Sequence, residues 1–390
     1  MNSLLLALWI TVGAIQLGIP LGYFAAMKRV EATRNYSLPM RDSHEPSVSI
    51  IIPTYNEAAV IESKLEDIVA GGYPLDKMEF IVVDSASVDG TAATARQFLE
   101  RKRLKGPVVE EERRRGKSGA LNIGLRYATG DLVCISDAEC RWERGALRNA
   151  ARYFEDPTIG AVSGIHGSSS RSAKMAGKVE GSYRSVYRML RIAESKLHST
   201  PIGEGEIQLF RRRDLEGFDP NVGGDDTCAA LCMVEKGLRA ISVEDVVFID
   251  PAPPAWRARF RQKIRRGQHV LQAFLKHRRL LRGNGVFSRV IFPMEFFLYA
   301  VNPLFFLPFL ALTGLVMASS LLLTFLVVAA IAVVAILPSL RTVAITYLSN
   351  NLTMLAAIIQ EARGNKQLVW TKIDENRPGL PVTNQPIVAQ

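Results

Sequence analysis

Three stretches of the chain differ in how apolar and polar residues alternate. From Leu4 to Met27 no charged residue occurs, which is long enough for one helix to cross a bilayer. A second apolar region, from about Phe296 to Leu340, is interrupted only by Asn302, prolines and small polar residues. It predicts two spans with a tight turn near Ala318-Ser319-Ser320. Between them, short β-branched runs alternate with helical spacing. Val48–Ile52, Glu79–Val83, Pro107–Val109 and Leu132–Ile135 predict strands. Ala58–Ala70, with Ile61, Leu65, Ile68 and Val69 on one face, Ser87–Arg101 and Lys117–Tyr127 predict helices.

Strands alternating with helices predict an α/β domain with a parallel or mostly parallel sheet covered on both faces. Ligands of such sheets bind beyond the carboxyl ends of the strands, where the segment PTYNE, Asp84 and Asp137 all fall. Past Arg341, the spacing of Ile345, Leu348, Leu352, Leu355 and Ile359, interrupted by Asn350, Asn351 and Thr353, predicts a helix. It either lies in the membrane interface or forms a further span. The expected organisation is an anchor over 1–27, a linker over 28–46 and an α/β domain over 47–255. A basic amphipathic helix over 256–285, two transmembrane helices over 286–340, the helix over 341–363 and a polar tail over 364–390 complete it. A Ser168–Ser172 cluster reads as a surface loop.

The formal charge of +10 changes this picture in one place. Ten Lys and Arg and no acidic residue lie between Arg257 and Arg282, with Trp256, Phe260, Ile264, Val270, Leu271, Phe274 and Leu275 interleaved. Such interleaving before an apolar region argues for a helix on an anionic membrane surface and against nucleic acid. The N-terminal stretch lacks a preceding positive charge and a small-x-small cleavage site, and Lys28, Arg29 and Arg34 follow it. It reads as a retained anchor of an integral membrane protein of the cell membrane, with the α/β domain in the cytosol. Cys134, Cys140, Cys228 and Cys232 match no zinc spacing and read as reduced core residues.

Candidate chemistry lies at acidic stations along the middle of the chain. Asp137 and Glu139, in CISDAEC, place two carboxylates on one side of an extended segment and can hold Mg²⁺ or Mn²⁺ against a diphosphate. Asp84 can accept a hydrogen bond from a nucleobase, or simply form a turn. Lys117 in GKSGALN suits a phosphate but lacks phosphate-loop spacing. Asp225 and Asp226 follow Gly223-Gly224. Asp226 can deprotonate a hydroxyl, although a helix N-cap would account for one aspartate equally well. Arg265 and Arg266 can stabilise a leaving diphosphate.

In combination SIIIPTYNEA, VVDSASVDGT, GKSGALNIGL, the Asp137-x-Glu139 station, GDD and Gln262-x-x-Arg265-Arg266 resemble the membrane-bound family 2 glycosyltransferases. These have the GT-A fold of the cellulose and hyaluronan synthase group. The resemblance covers roughly residues 47 to 285 and implies an inverting hexosyltransferase with a nucleotide-sugar donor. It implies that Pro53, Tyr55, Glu57 and Asp84 line the nucleoside pocket, with Lys117 near the diphosphate. Asp137 and Glu139 would stand at a Mn²⁺ or Mg²⁺ ion, Asp226 would be the base, and Gln262, Arg265 and Arg266 would close the donor site. Gly203, Glu204, Gly205 and Asp225 would stand on the acceptor side.

Three departures shape the expected activity. DxE replaces DxD, Arg266 replaces the tryptophan that contacts a growing polymer, and Gly203-Glu204-Gly205-Glu206 has no obvious match to the family's acceptor loop. With too few spans for a polymer channel, one sugar added to a lipid-linked acceptor is expected. The compact form is similar to archaeal mannosyltransferases of lipid-linked N-glycan assembly, which implies GDP-mannose and a dolichol- or polyprenol-linked glycan. The competing expectations are a polyprenol-phosphate sugar synthase, a small processive synthase using a UDP-sugar, and a non-catalytic nucleotide-sugar-binding scaffold subunit.

Overall fold

The uncharged N-terminal stretch forms one rod, α1 (Ser3–Gly13) passing through a π-helical turn at Ala14–Gly18 into α2 (Ile19–Thr33). The computed structural model describes residues 3–36, 44–167, 175–250 and 256–365. The Ser168–Ser172 loop and the polar tail beyond residue 365 fall outside that range. The expected alternation then appears as β1 (Val48–Thr54), α3 (Ala58–Ala70), β2 (Met78–Asp84), α4 (Thr91–Lys102), β3 (Val108–Glu110), α5 (Lys117–Tyr127) and β4 (Leu132–Ile135). Helix α4 begins four residues later than its spacing suggests. Asp89 instead accepts from the Thr91 amide and hydroxyl, and Gly90 turns at φ +88°.

These strands read as unbroken apolar runs because both of their faces are buried. Ile50, Ile52 and Phe80 pack with Ile61, Leu65 and Phe98 of α3 and α4. Ile51, Ile81 and Val83 point the other way, toward Ala120 and Leu121 of α5.

The chain continues through β5 (Arg141–Trp142), α6 (Ala146–Arg152), β6 (Ile159–His166), α7 (Met175–Leu197), β7 (Gln208–Arg211), α8 (Asp225–Glu235) and β8 (Arg239–Ile249). All eight strands form one sheet in the order β3-β2-β1-β4-β7-β6-β8-β5. The expectation of a mostly parallel sheet holds only from β3 to β4. Strand β7 runs antiparallel to both β4 and β6, β5 is antiparallel to β8, and β6 and β8 are parallel. The reason is the connection. After α7 the chain reaches β7 at the edge where β4 ends, with Gln208 opposite Ile135, and so runs back along β4. Hydropathy does not encode that direction. Helix α8 stops at Glu235, because Gly237 turns at φ +78° and β8 begins.

The C-terminal part comprises α9 (Trp256–Lys276), α10 (Phe292–Phe296) between π-helical turns at Phe287–Ile291 and Phe297–Val301, α11 (Asn302–Ser319), α12 (Leu321–Ile336) and α13 (Pro338–Ala362). The chain breaks at Ser320, whose hydroxyl accepts from the Leu323 amide. Among the described residues, three helical stretches are long and apolar enough to cross a membrane: 3–33, 287–319 and 340–362. Helix α12, with 16 residues, rises only ~24 Å against a hydrocarbon core of ~30 Å. Trp9 donates to Thr313 and Gln16 to Asn302, so α1 and α11 run antiparallel. Part of the apolar side of α9, which the sequence assigns to the membrane surface, packs on protein, while Phe260 and Leu275 stay exposed. Ile264 and Phe274 share a cluster with Met354 and Ala357 of α13 and with Phe292 and Tyr299.

Candidate active site

The carboxyl ends of β1, β2 and β4 open on one side, and the loops after β1 and β2 are bonded to each other. Asn56, at φ +55°, donates its amide to Ser87 Oγ (2.7 Å), and its side-chain oxygen accepts from Val88 N (2.9 Å). The Glu57 amide donates to Thr91 Oγ1 at 2.8 Å. Asp84, which is buried, accepts from Thr54 Oγ1 (3.0 Å), Ser87 N (3.0 Å) and Ser87 Oγ (2.6 Å). Its carboxylate is therefore turned into the loop, and Ser85 beside it faces the cavity. Tyr55 lies under the Arg114 guanidinium, 3.9 Å from the ring centroid.

Three carboxylates from two acidic stations converge on one ammonium. Lys117, the first residue of α5, places Nζ 2.6 Å from Asp137 Oδ1 and 3.6 Å from Asp225 Oδ2. Burial alone would lower the Lys117 pKa, but Asp137, Asp225 and Asp226 together raise it well above its ordinary value. Burial pushes Asp225 up to about 7, against the pull of Lys117 and with the repulsion of Asp226 and Asp137. Asp226 stands in the first turn of α8, where the helix N-terminus favours negative charge. Its Oδ2 accepts from the Gly205 amide at 3.1 Å. A Cβ on Gly205 would come within 2.8 Å of Lys117 Nζ, so a larger residue there would displace the ammonium.

A second cluster, unassigned by the sequence reading, adjoins the first. Glu206, Asp250 and His166 bring ligand-capable atoms within 4.8 Å of one another. Arg266 lies 3.3 Å from Glu206 and 3.5 Å from Asp250. Burial, then repulsion from Glu206, pushes Asp250 up to about 8, and burial likewise raises Glu206. Burial, followed by Arg184, Arg266 and Arg191, holds His166 well below its usual value and keeps the ring neutral. Arg265 is lowered to about 10 by burial and by Arg266, and still carries its charge at neutral pH. Asp250 follows the apolar run Val246–Ile249, the same signature that singled out Asp84, so this residue was legible. His166 was not, because it ends a strand that no motif marks.

One cavity of about 680 Å³ takes in nearly every residue that the sequence singled out. Pro53, Tyr55, Glu57, Lys117, Asp137, Glu139, Gly203, Glu204, Gly205, Asp225, Asp226, Gln262, Arg265 and Arg266 line it, and Asp84 does not. From the strand ends it extends past Arg184, Arg188 and Arg191 of α7 to Tyr299, Asn350 and Met354. These last three belong to helical stretches apolar and long enough to cross a membrane. The donors Asp137 and Glu139, with the carboxylates and neutral imidazole beside them, suit a hard divalent ion such as Mg²⁺ or Mn²⁺, and no thiol lines the cavity.

Residues 49–218 match the family model described as Glycosyl transferase family 2. The solved structure of the mannosyltransferase PcManGT from Pyrobaculum calidifontis, in complex with GDP-Man and Mn2+, superposes with a TM-score of 0.78. It is 35% identical, covering 93% of this chain and 100% of that one. Glycosyltransferase AglE of Haloferax volcanii is 26% identical over 242 residues, 61% of this chain and 77% of the relative. The probable glycosyltransferase YdaM of Bacillus subtilis is 27% identical over 286 residues, which span 71% of this chain but 66% of that protein. The sheet and its flanking helices are thus a GT-A-like fold.

Proposed function

The chain belongs to glycosyl transferase family 2, and we propose that it moves a single mannose, with inversion, from GDP-mannose to a dolichol- or polyprenol-linked glycan. The donor reading rests on the similarity to PcManGT, which was solved with GDP-Man and Mn2+. The acceptor reading rests on one observation, the continuity of the cavity from Asp226 to Tyr299, Asn350 and Met354. A lipid tail lodged among the apolar helices would bring its polar head to the strand-end loops. Lys28 and Arg29 in the last turns of the N-terminal rod, with Arg34 just beyond it, support a cytosolic side for the catalytic domain.

In this reading Tyr55 and Glu57 border the nucleoside, and Lys117, Arg265 and Arg266 face the diphosphate. Asp137 and Glu139 would hold Mn²⁺ or Mg²⁺, which when bound neutralises charge on the leaving diphosphate. Asp226 takes the proton of the acceptor hydroxyl as that oxygen bonds to the anomeric carbon. The bond from that carbon to the diphosphate oxygen breaks, and GDP leaves with the electron pair. Arg265 and Arg266 stabilise the charge that develops on it.

A second reading, a polyprenol-phosphate mannose synthase, is favoured by Arg184, Arg188 and Arg191, which line the cavity between the strand ends and the apolar helices. An anionic phosphate acceptor needs no base. Turnover of a nucleotide-sugar panel by the full chain in detergent, with Mn²⁺ and lipid-linked acceptors, tests both. Consumption of GDP-mannose with one residue added is expected, whereas turnover of UDP-sugars alone, or polymer growth, would sink the proposal. Asp226→Asn should lower transfer about 10²–10⁴-fold to a hydroxyl acceptor. Transfer to a polyprenol phosphate that survives this change would favour the second reading.

A further inference from the structure

We propose that Cys228, Cys232 and His277 form a binding site for one thiophilic divalent cation of the Zn²⁺ class, separate from the carboxylate cavity. The two cysteines are four residues apart on α8 and so lie on one face of the helix. His277 directly follows the last residue of α9. Its Nε2 lies 3.3 Å from Cys228 Sγ and 3.9 Å from Cys232 Sγ, and all three donor atoms fall within 4.8 Å of one another. Metal–sulfur bonds of about 2.3 Å and metal–nitrogen bonds of about 2.0 Å, in tetrahedral arrangement, set donors roughly 3.5–3.8 Å apart. The site is therefore close to the required spacing without rearrangement of either helix.

The surroundings are also those of a ligating histidine. The other ring nitrogen, Nδ1, lies 3.0 Å from Glu235 Oε1 without hydrogen-bond geometry, near enough for that carboxylate to orient the ring once Nε2 binds a metal. Cys228 and His277 are buried and Cys232 is half-buried. A shallow cavity of about 290 Å³, lined by Glu235, Lys276, His277, Arg278 and Arg279, adjoins His277. Lys276 stands 3.6 Å from Cys228 Sγ, where a cation favours thiolate, and 2.5 Å from Asp219, which keeps it paired once a metal takes the sulfur. On binding, the two thiols give up their protons to water and the imidazole binds neutral. The bound ion would tie α8, which begins with Asp225 and Asp226, to the end of α9, which carries Gln262, Arg265 and Arg266.

The test uses the full chain in detergent, reduced and freed of metal by a chelator, then titrated with Co²⁺. A thiolate-to-cobalt charge-transfer band saturating at one equivalent is expected, displaced by Zn²⁺ and indifferent to Mg²⁺ and Mn²⁺. Cys232→Ser and His277→Gln should each abolish the band at the concentration that saturates the parent. Glu235→Gln should keep the band but weaken binding about 10–100-fold. Because the parent titration needs no substitution, a misfolded variant cannot mask the result. Absence of the band from the reduced parent would overturn the proposal, as would a band unchanged in a His277→Gln protein of parental helical circular dichroism.

Discussion

Gly205 shows how narrowly the site is drawn at the scale of single residues. Its amide holds Asp226 at 3.1 Å, while its α-carbon leaves just enough room for Lys117 Nζ, which a Cβ would approach to 2.8 Å. The displaced atom would be the far end of a flexible side chain, so Gly205→Ala should leave the melting midpoint nearly unchanged. Moving the ammonium away from Asp137 should nevertheless lower turnover, by about 10²-fold for a shift near 1 Å. A large loss of stability with activity intact would contradict this placement. Asp137, Glu139 and Asp226 were legible as residues, because carboxylates at strand ends and after paired glycines are exposed by the local turn. The side-chain direction of Asp84 was not legible. Thr54 and Ser87, on two different segments, draw its carboxylate into the loop.

At the scale of elements, two carboxyls sit at element ends that burial has made hostile to charge. Asp225 opens α8 and Asp250 follows β8, pushed up to about 7 and about 8 respectively. In the unfolded chain both release their protons near the ordinary carboxyl value of about 4. The folded state thus binds more protons above that value, and stability falls with rising pH until the folded-state values are passed. The metal-free protein should therefore melt at a progressively lower temperature between about pH 5 and about pH 8, and Asp250→Asn should flatten that fall. A melting midpoint that rises over this window would refute the assignment. The elements up to β4 were readable because burial on both faces imposes continuous apolar runs, and Lys117–Tyr127 and Leu132–Ile135 were located to the residue. Past β4, strands such as Arg141–Trp142 and Gln208–Arg211 are too short to impose a period, and their pairing depends on distant segments.

At the scale of the whole molecule, Gln16 joins three helices distant in sequence. Its side-chain nitrogen lies 2.6 Å from Tyr347 Oη, 2.9 Å from Asn351 Oδ1 and 3.4 Å from Asn302 Oδ1. Between apolar helices such polar contacts contribute about 1–2 kcal/mol together, and their loss leaves the partners unpaired. Gln16→Leu should lower the melting midpoint in detergent, although leucine is the more apolar residue; a rise would show that the contact carries no net stability. That apolar rods flank an α/β domain, and that acidic stations stand near its strand ends, can be read from residue order alone, because hydropathy period and turn chemistry are local. The folded arrangement was needed to show that β7 reverses the sheet, that α13 packs on Ile264 and Phe274 of α9, and that Cys228 and Cys232 meet His277. Each of these depends on which surfaces the chain brings together across tens to hundreds of residues, and residue spacing carries no record of that choice.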